Sequence, residues 1–157
     1  MTNPIWRLDP ATDSDAPALA ELRVQAMRPS LMAAGRFDAT RARDRFLSGY
    51  LAADTRLVRV GGTLAGGLVL RQRPDHLYLD HLYLLEAFQG QGIGRQIVAQ
   101  VQDEARALAL PLRLMALNGS PANGFYLSCG FQAGQAEALD THYHWTPNAN
   151  GAPEGPA

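Results

Sequence analysis

Three glycines at alternate positions, Gly90, Gly92 and Gly94, stand between an apolar run and a stretch with helical periodicity. Glycine can turn the backbone sharply, and it leaves its N–H group uncovered by a side chain. The helix that follows would point unpaired N–H groups and the positive end of its dipole back at the loop. Loops of this kind bind phosphate. The segment therefore predicts a site for a phosphate-bearing ligand in the middle of the chain.

Two common nucleotide-binding loops do not fit this spacing. A dinucleotide fold needs G-x-G-x-x-G early in a β-α-β unit and an acidic residue roughly 20 positions later. This loop reads G-x-G-x-G and lies late in the chain. A Walker-type loop needs lysine and a hydroxyl residue after its last glycine, and neither follows Gly94. The order of the surrounding elements must therefore identify the ligand.

Hydrophobic periodicity predicts the elements before the loop. We expect a strand over Ile5 to Leu8, a helix from Asp13, a second helix from near Asp38, a hairpin of Arg56 to Val60 and Thr63 to Arg71, and a strand from Leu77 to Leu85. The first helix should end near Arg28, because Pro29 disfavours helical geometry in the residue before it. Gly61-Gly62 suits the hairpin turn, and Gly66-Gly67 indicates a bulge or a close approach of two backbones.

After the loop we expect a helix that ends at Leu110 and a strand over Leu112 to Leu117. A short helix between Asn118 and Cys129 and two final strands, Phe131 to Ala133 and Thr141 to Trp145, should follow. A strand, a helix and a strand in this order predict a right-handed crossover between two parallel strands. An edge strand over Thr141 to Trp145 would allow a homodimer.

Length and composition are those of one globular domain. The 157 residues are 46% hydrophobic with a net charge of −1, so we expect a domain over residues 1–146 and a disordered tail over residues 147–157. This charge gives no reason to bind nucleic acid or an anionic membrane, and Arg41, Arg43 and Arg45 are interpreted as a solvated helix face. The single cysteine, Cys129, rules out an internal disulfide. With no secretory or membrane-spanning pattern, the sequence predicts a soluble, cytoplasmic protein.

Gln89, Gly92 and Gly94 match the Q/R-x-x-G-x-G/A signature of the GNAT superfamily of acetyl-CoA-dependent N-acetyltransferases, which the chain resembles from Ile5 to Trp145. The segment Ser120 to Phe131 is similar to the family's later N-x-A-x-x-F-Y-x-x-x-G-F pattern, although Ser120 replaces its asparagine and Glu86 replaces a frequent proline. The resemblance implies an α/β (α+β) single-domain GNAT-like fold. Such a fold has a mixed central sheet of about six to seven strands, helices on both faces, and strands that splay apart at the acyl-CoA site.

The resemblance also implies acetyl-CoA as the co-substrate, with no metal. Backbone amides of the loop would hold the pyrophosphate, and the strand before the loop would pair with the pantetheine amides. The implied cofactor-binding residues are Leu82, Tyr83, Leu84, Gln89, Gly90, Gln91, Gly92, Ile93, Gly94, Arg95, Asn123 and Tyr126. Arg28, Phe37 and His76 would line the acceptor pocket, and His81 is a further substrate-site candidate.

Acetyl transfer needs a neutral amine, whereas an ammonium group with a pKa of about 10.4 is charged at pH 7. Asp80 is the first candidate to take its proton, because it has the same strand parity as Leu82 and Leu84. Burial or a bridging water would have to make it an effective base. An equal alternative is that Asp80 orders its neighbours or binds the substrate cation. His81 has a better intrinsic pKa but the opposite parity, and it ranks second.

Tyr126 is the second catalytic candidate. The matching tyrosine of the family lies near the thioester sulfur, so Tyr126 would donate a proton to the departing CoA thiolate; the alternative is a packed aromatic beside Phe125. No base is placed beside Cys129, so a covalent acyl-enzyme is not predicted. His142 and His144 share one face of a strand, but without a third ligand they indicate an ordinary strand.

The sequence thus predicts an acyltransferase that moves an acetyl group from acetyl-CoA to a primary amine of a small molecule or a protein, by direct attack in a ternary complex. The alternative from another class is a non-catalytic acyl-CoA-binding sensor that keeps the loop without turnover. A third interpretation is a nucleotide-binding module, which ATP or NAD, but not acetyl-CoA, would stabilise against heat.

Overall fold

The computed structural model describes residues 5–147. The predicted disordered tail therefore lies outside the described residues, apart from Pro147. In chain order the helices and strands are β1 (Trp6–Pro10), α1 (Ala16–Ala33), α2 (Ala39–Leu47), β2 (Thr55–Val60), β3 (Thr63–Gln72), β4 (Leu77–Leu84), α3 (Ile93–Leu108), β5 (Leu112–Leu117), α4 (Ala122–Ser128), β6 (Gln132–Ala136) and β7 (Asp140–Trp145).

Seven strands form one sheet in the order β1-β2-β3-β4-β5-β7-β6. β4 and β5 run parallel, while β1 and β2, β2 and β3, β5 and β7, and β6 and β7 are antiparallel pairs. The predicted mixed sheet and the crossover through α3 are therefore confirmed. Contacts within the chain divide it into two units, one of residues up to 70 with residues 80–94, the other of residues 71–79 with those from 95 onwards.

The first unit packs two helices against an antiparallel part of the sheet. β2 and β3 turn at Gly61 and Gly62, whose φ angles of 58° and 86° suit glycine and confirm the predicted hairpin. α1 and α2 contact each other. Their shared core consists of Leu19, Ala20, Phe46, Leu57 and Val69.

The first helix is longer than the sequence predicts. α1 continues through Pro29 to Ala33, so the expected end near Arg28 is wrong. Proline removes the helix hydrogen bond to the carbonyl of Gln25, but Gln25, Arg28 and Pro29 are all exposed, so water can reach that carbonyl. The chain turns away only at Gly35, which has a φ of 70°.

The second unit packs α3 and α4 with β5, β6 and β7. α3 buries Ile97, Val101 and Ala105, as their spacing predicts, whereas Leu108 at its end is 47% exposed. β4 pairs with β5 through Leu77 to Leu112 and through Tyr78 to Arg113.

β7 is an interior strand, so the expected edge strand over Thr141 to Trp145 is wrong, and β7 has no open edge for a homodimer. It pairs with β5 on one side and with β6 on the other. β6 runs to Ala136 rather than ending at Ala133, and all five of its residues are exposed. Its glutamines, alanines and glycine carry no alternating pattern, so its sequence gives no strand signal.

Gly66 lies where β3 passes close to β4. A Cβ atom built on Gly66 would lie 2.1 Å from the carbonyl oxygen of Tyr83 and 2.9 Å from Cδ2 of Leu84. The pairing of β2 with β3 also shifts register between Val58 and Arg59. Both features predicted from Gly66-Gly67, a bulge and a close backbone approach, are therefore present.

Replacing Gly66 with alanine should lower the free energy of unfolding by about 1–3 kcal/mol, because the backbone of β4 must move to admit one methyl group. Urea unfolding would measure this loss. Gly134→Ala is the matched control, since Gly134 also lies in a strand but its added Cβ would be 3.5 Å from the nearest atom, the carbonyl oxygen of His142. Equal stability of the two variants would contradict the close approach of β3 and β4.

Candidate active site

The glycine loop connects the end of β4 to the start of α3. A short 3₁₀ turn covers Glu86–Phe88, and α3 begins at Ile93, whose side chain is 1% exposed and anchors the helix start. Gly90 and Gly92 have φ angles of 74° and 84°, a left-handed conformation that side chains disfavour. No heavy atom lies within 4 Å of the Cβ position of Gly90, so this turn is open on that side. The loop thus has the backbone shape that its sequence predicts.

The two glutamines of the loop fold back on its own backbone. Gln89 donates from Nε2 to the carbonyl of Leu84 at 2.8 Å, and Gln91 donates from Nε2 to the carbonyl of Ala87 at 3.0 Å. Their side chains therefore hold the shape of the loop. Any ligand of the loop would be bound chiefly by main-chain N–H groups.

At the end of β4, one edge of the strand lies against β3. The carbonyl of Tyr83 faces Gly66, and the N–H of Leu85 donates to the carbonyl of Ala65 at 2.9 Å. Backbone groups of successive strand residues point to opposite edges. The N–H and C=O groups of Leu82 and Leu84 therefore point away from β3.

Five polar side chains meet where α1, α2 and β4 pack in the first unit. We call Arg23, Arg45, Asp80, His81 and Tyr83 the β4 polar cluster. His81 is only 3% exposed, its Nδ1 contacts the hydroxyl of Tyr83, and its ring lies edge-on to Phe46 at 5.1 Å between centroids. This burial leaves His81 poorly placed to meet an incoming amine directly.

Asp80 is held by Arg45 of α2. Oδ1 of Asp80 accepts a hydrogen bond from Nη2 of Arg45 at 3.1 Å, and Oδ2 lies 3.7 Å from Nε2 of His81. The side chain of Asp80 is 11% exposed and that of Arg45 is 50% exposed. The interpretation of Arg45 as part of a solvated face is therefore wrong, because its guanidinium reaches back to β4.

Arg23 completes the cluster from α1. Its Nε donates to the hydroxyl of Tyr83 at 2.8 Å, and its Nη1 donates to the carbonyl of Ala42 at 2.6 Å. Burial raises the pKa of the Tyr83 phenol, although Arg23 acts in the opposite direction. Arg23 is not among the residues predicted from the sequence, and no local pattern could have identified it, because 60 positions separate it from Tyr83.

Two of the predicted acceptor residues contact each other. The guanidinium carbon of Arg28 lies 5.0 Å from the ring centroid of Phe37, a cation–π contact in the first unit. His76 belongs to the second unit, where its Nδ1 lies 2.7 Å from Oδ1 of Asp75. There it lines a groove of about 570 Å³ together with Tyr78, Arg113, His142 and His144.

The second unit holds the remaining predicted residues. Tyr126 is 8% exposed and packs against Phe125, Phe131 and Tyr143. Asn123 donates from Nδ2 to the carbonyl of Leu117 at 2.8 Å, and its Oδ1 accepts from the hydroxyl of Tyr143 at 2.7 Å. The side chain of Asn123 therefore holds the start of α4 against β5 and β7, a role not predicted from the sequence.

Arg95 of α3 reaches the end of α4 at Ser128, next to Cys129. The guanidinium of Arg95 donates to the carbonyl of Ser128 at 3.1 Å and to its Oγ at 2.7 Å. Burial raises the pKa of the Cys129 thiol, and the nearby Arg95 only partly opposes this effect. A thiol kept protonated is a weak nucleophile.

Over residues 5–147, no group of three or more His, Cys, Asp and Glu side chains has the arrangement of a metal site. His142 instead lies 3.1 Å from Oε2 of Glu137. None of the helices in this range has the length and apolar character needed to cross a membrane.

The fold is similar to those of several crystallised acetyltransferases. The PaiA N-acetyltransferase from Thermoplasma acidophilum, in complex with coenzyme A, aligns with a TM-score of 0.75 and 15% identity over 90% of this chain and 99% of its own. An acetyltransferase from Thermus thermophilus aligns with a TM-score of 0.69 and 22% identity over 93% of this chain and 99% of its own. The ribosomal-protein-S18-alanine N-acetyltransferase from Escherichia coli aligns with a TM-score of 0.69 and 17% identity over 90% of this chain and 94% of its own.

Sequence comparison assigns the family. No curated protein sequence matches the chain at a significant level. Residues 17–131, which include the glycine loop, β4 and α4, match the profile of the acetyltransferase (GNAT) family. The match covers well over half of the chain and confirms the resemblance found from Gln89, Gly92 and Gly94. The chain belongs to the GNAT family of acetyltransferases.

Proposed function

We propose that this protein transfers an acetyl group from acetyl-CoA to a primary amine, by direct attack in a ternary complex. The observation that carries the proposal is the open glycine loop at the N-terminus of α3, a helix of 16 residues, directly after β4. The crystallised PaiA N-acetyltransferase, whose fold is similar, holds coenzyme A. Membership of the GNAT family and the shape of this loop both favour acetyl-CoA as the co-substrate.

The loop supplies the diphosphate site in this proposal. Main-chain N–H groups from Gly90 to Arg95 donate to the phosphate oxygens, while Gln89 and Gln91 keep the loop in shape. The helix dipole adds roughly 0.3–1 kcal/mol for each phosphate charge, beyond the hydrogen bonds themselves. The outward backbone groups of Leu82 and the N–H of Leu84 then pair with the amides of pantetheine, as an added strand would, whereas the carbonyl of Leu84 already accepts from Gln89.

The chemistry needs a group that takes the proton of the amine. Deprotonating a lysine-like ammonium at pH 7 costs about 4–5 kcal/mol. We assign this role to Asp80, directly or through one water, because His81 is too deeply buried to reach the amine. The amine nitrogen then attacks the thioester carbonyl, the carbon–sulfur bond breaks, and Tyr126 gives its phenolic proton to the thiolate. The nitrogen loses its second proton as the amide forms, and that proton passes through solvent to the Tyr126 phenolate and restores the phenol. Asp80 releases the proton that it took to water.

The acceptor is a primary amine of a small molecule or of a protein. Among proteins of similar fold, one acetylates an alanine of a ribosomal protein. The panel that tests acceptors should therefore hold peptides with free α-amino groups as well as amino acids and polyamines. The chain has 14 arginines and no lysine, so its own side chains offer no lysine amine that would compete.

The decisive experiment measures release of the CoA thiol from acetyl-CoA over this panel, with the acetylated product identified by mass. We expect turnover with at least one class of amine. When no amine is present, acetyl-CoA should stabilise the protein against heat. Stabilisation without turnover on any acceptor would instead support the acyl-CoA sensor. Stabilisation by ATP or NAD, but not by acetyl-CoA, would support the nucleotide-binding module.

A further inference from the structure

The end of α4 is held by side chains of α3 as well as by its own backbone. The last carbonyl groups of a helix have no partner within the helix. In α4 the carbonyls of residues 125–127 accept from main-chain N–H groups of residues 129–131. The next two carbonyls, those of Ser128 and Cys129, accept instead from the side chains of Arg95 and Gln102. Two donors of α3 therefore complete the C-terminal end of α4.

Arg95 binds Ser128 at two points. Its Nη1 donates to the carbonyl of Ser128 at 3.1 Å, and its Nη2 donates to Oγ at 2.7 Å. The Oγ atom in turn donates to the carbonyl of Phe125 at 2.6 Å, about one turn back in α4. A guanidinium is planar, so two bonds from it fix the orientation of the group that it binds, which a single bond does not. Arg95 therefore fixes both the position and the orientation of the last turn of α4.

Gln102 lies on the same face of α3 as Arg95. Seven positions, about two helical turns, separate the two residues. Gln102 is 8% exposed, and its Nε2 donates to the carbonyl of Cys129 at 2.9 Å. Leaving a buried amide without a partner is costly, so this contact is well defined. One face of α3 thus anchors two successive carbonyls at the end of α4.

Tyr126 lies between this anchor and the one at the start of α4. There Asn123 donates to the carbonyl of Leu117 in β5 and accepts from the hydroxyl of Tyr143 in β7. α4 has only seven residues, and a helix of that length is not stable on its own, so its position depends on such anchors. Ser128 is two positions from Tyr126. Release of the anchor at Ser128 should therefore let the phenol of Tyr126 shift.

We propose that Arg95 is a positioning residue for acetyl transfer, which through its two bonds to Ser128 holds Tyr126 where the phenol can protonate the departing CoA thiolate. The proposal rests on the proposed function, with Tyr126 as the acid. It assigns the guanidinium of Arg95 to α4 and leaves only the main-chain N–H of this residue for the phosphates. The side chain and the backbone of one residue then serve different steps, protonation of the thiolate and binding of the co-substrate.

Arg95→Met tests this inference, because methionine keeps an unbranched side chain but has no donor. A misplacement of about 1 Å can cost up to about 10²-fold in rate, and we expect kcat to fall by about 10-fold. The Kd for coenzyme A, measured by isothermal titration, should rise by less than about threefold, since the lost charge is exposed and screened by salt. In a Tyr126→Phe background the same change should alter kcat by less than about twofold, because the phenol that Arg95 positions is gone.

Two milder variants separate this role from the charge of Arg95. Ser128→Ala removes the Oγ acceptor without changing the net charge, so kcat should fall by about threefold while the Kd for coenzyme A stays the same. Arg95→Lys keeps the charge but cannot make both planar bonds, so its kcat should lie between those of the wild type and Arg95→Met. Both variants can be measured even if Arg95→Met fails to fold.

Arg106→Met is the matched control. Arg106 lies on the same face of α3, about three turns beyond Arg95. Its Nη1 donates to Oδ1 of Asp103 at 2.8 Å, and its guanidinium carbon lies 5.0 Å from the ring centroid of Trp145. The substitution therefore removes an arginine of the same helix that binds outside α4. We expect it to lower thermal stability and to leave kcat at the wild-type value.

The outcomes separate this inference from the proposed function. Full kcat in Arg95→Met, with Tyr126→Phe impaired, overturns the positioning role and leaves acetyl transfer intact. Additive effects of Arg95→Met and Tyr126→Phe on kcat also overturn it, as does a large rise in the Kd for coenzyme A with kcat unchanged, since the guanidinium would then bind phosphate. Full kcat in Tyr126→Phe removes the acid on which the inference rests, while acetyl transfer still stands. A wild-type protein that turns over no amine overturns both.

Discussion

Asp80→Asn is expected to lower kcat by about 10²–10⁴-fold and to leave the KM for acetyl-CoA nearly unchanged. Asparagine keeps the size of the side chain but cannot take a proton from the amine. The loss should therefore appear in the chemical step and not in binding of the co-substrate. Steady-state kinetics of CoA release, with the best acceptor of the panel, would measure both constants.

Asp9→Asn is the matched control for this substitution. Asp9 also lies on a strand of the first unit, and it also pairs with arginine, with Oδ1 3.0 Å from Nε of Arg7 and Oδ2 3.2 Å from Nε of Arg59. Surface ion pairs of this kind contribute about 0–1 kcal/mol to stability. Asp9→Asn should therefore keep the wild-type kcat. If both variants kept it, Asp80 would not be the base, and its carboxylate would serve to order its neighbours or to bind the substrate cation.

Gly92→Ala should weaken binding of acetyl-CoA by roughly 10- to 100-fold. Hydrogen bonds to charged groups contribute about 1.5–3 kcal/mol each, and an alanine at a φ of 84° would twist the loop and turn at least one N–H away from the diphosphate. Isothermal titration with acetyl-CoA would measure the change in Kd. Because the diphosphate belongs to the CoA part, coenzyme A alone should lose affinity by the same factor.

Gly62→Ala separates backbone strain from loss of the ligand site. Gly62 has nearly the same φ, 86°, but it lies in the β2–β3 turn, and no atom lies within 4 Å of its Cβ position. Both variants should lose similar stability, roughly 1–2 kcal/mol from the left-handed conformation. Only Gly92→Ala should lose affinity. Equal Kd values for the two variants would show that the loop does not bind the diphosphate.

The local elements were the predictable part of this fold. α3 buries Ile97, Val101 and Ala105 as their spacing indicates, and the turn at Gly61-Gly62 has the positive φ angles that its sequence suggests. These features depend on residues within a few positions of one another, so a short stretch of sequence is enough to predict them. The same reason explains why the family could be recognised from the order of the elements together with two local motifs, Gln89 to Gly94 and Ser120 to Phe131.

The wrong predictions have a common physical origin. Pro29 was expected to end α1, but its exposed position lets water replace the lost hydrogen bond. β7 was expected at the edge, but β6 gains its strand structure from pairing with β7 and not from its own residues. In each case the surroundings outweighed the local preference of the residue.

The sequence by itself determined the strand–loop–helix that makes the glycine loop, because short-range backbone geometry and hydrophobic period are sufficient for it. Only the tertiary structure decided which side chains meet Asp80. Arg23 and Arg45 lie on different helices, 60 and 35 positions away from the β4 residues that they bond. Hydrogen bonds and ion pairs act over a few ångströms in space, whatever the distance along the chain. The periodicity of the sequence therefore could not predict this cluster, which forms only when α1, α2 and β4 pack together.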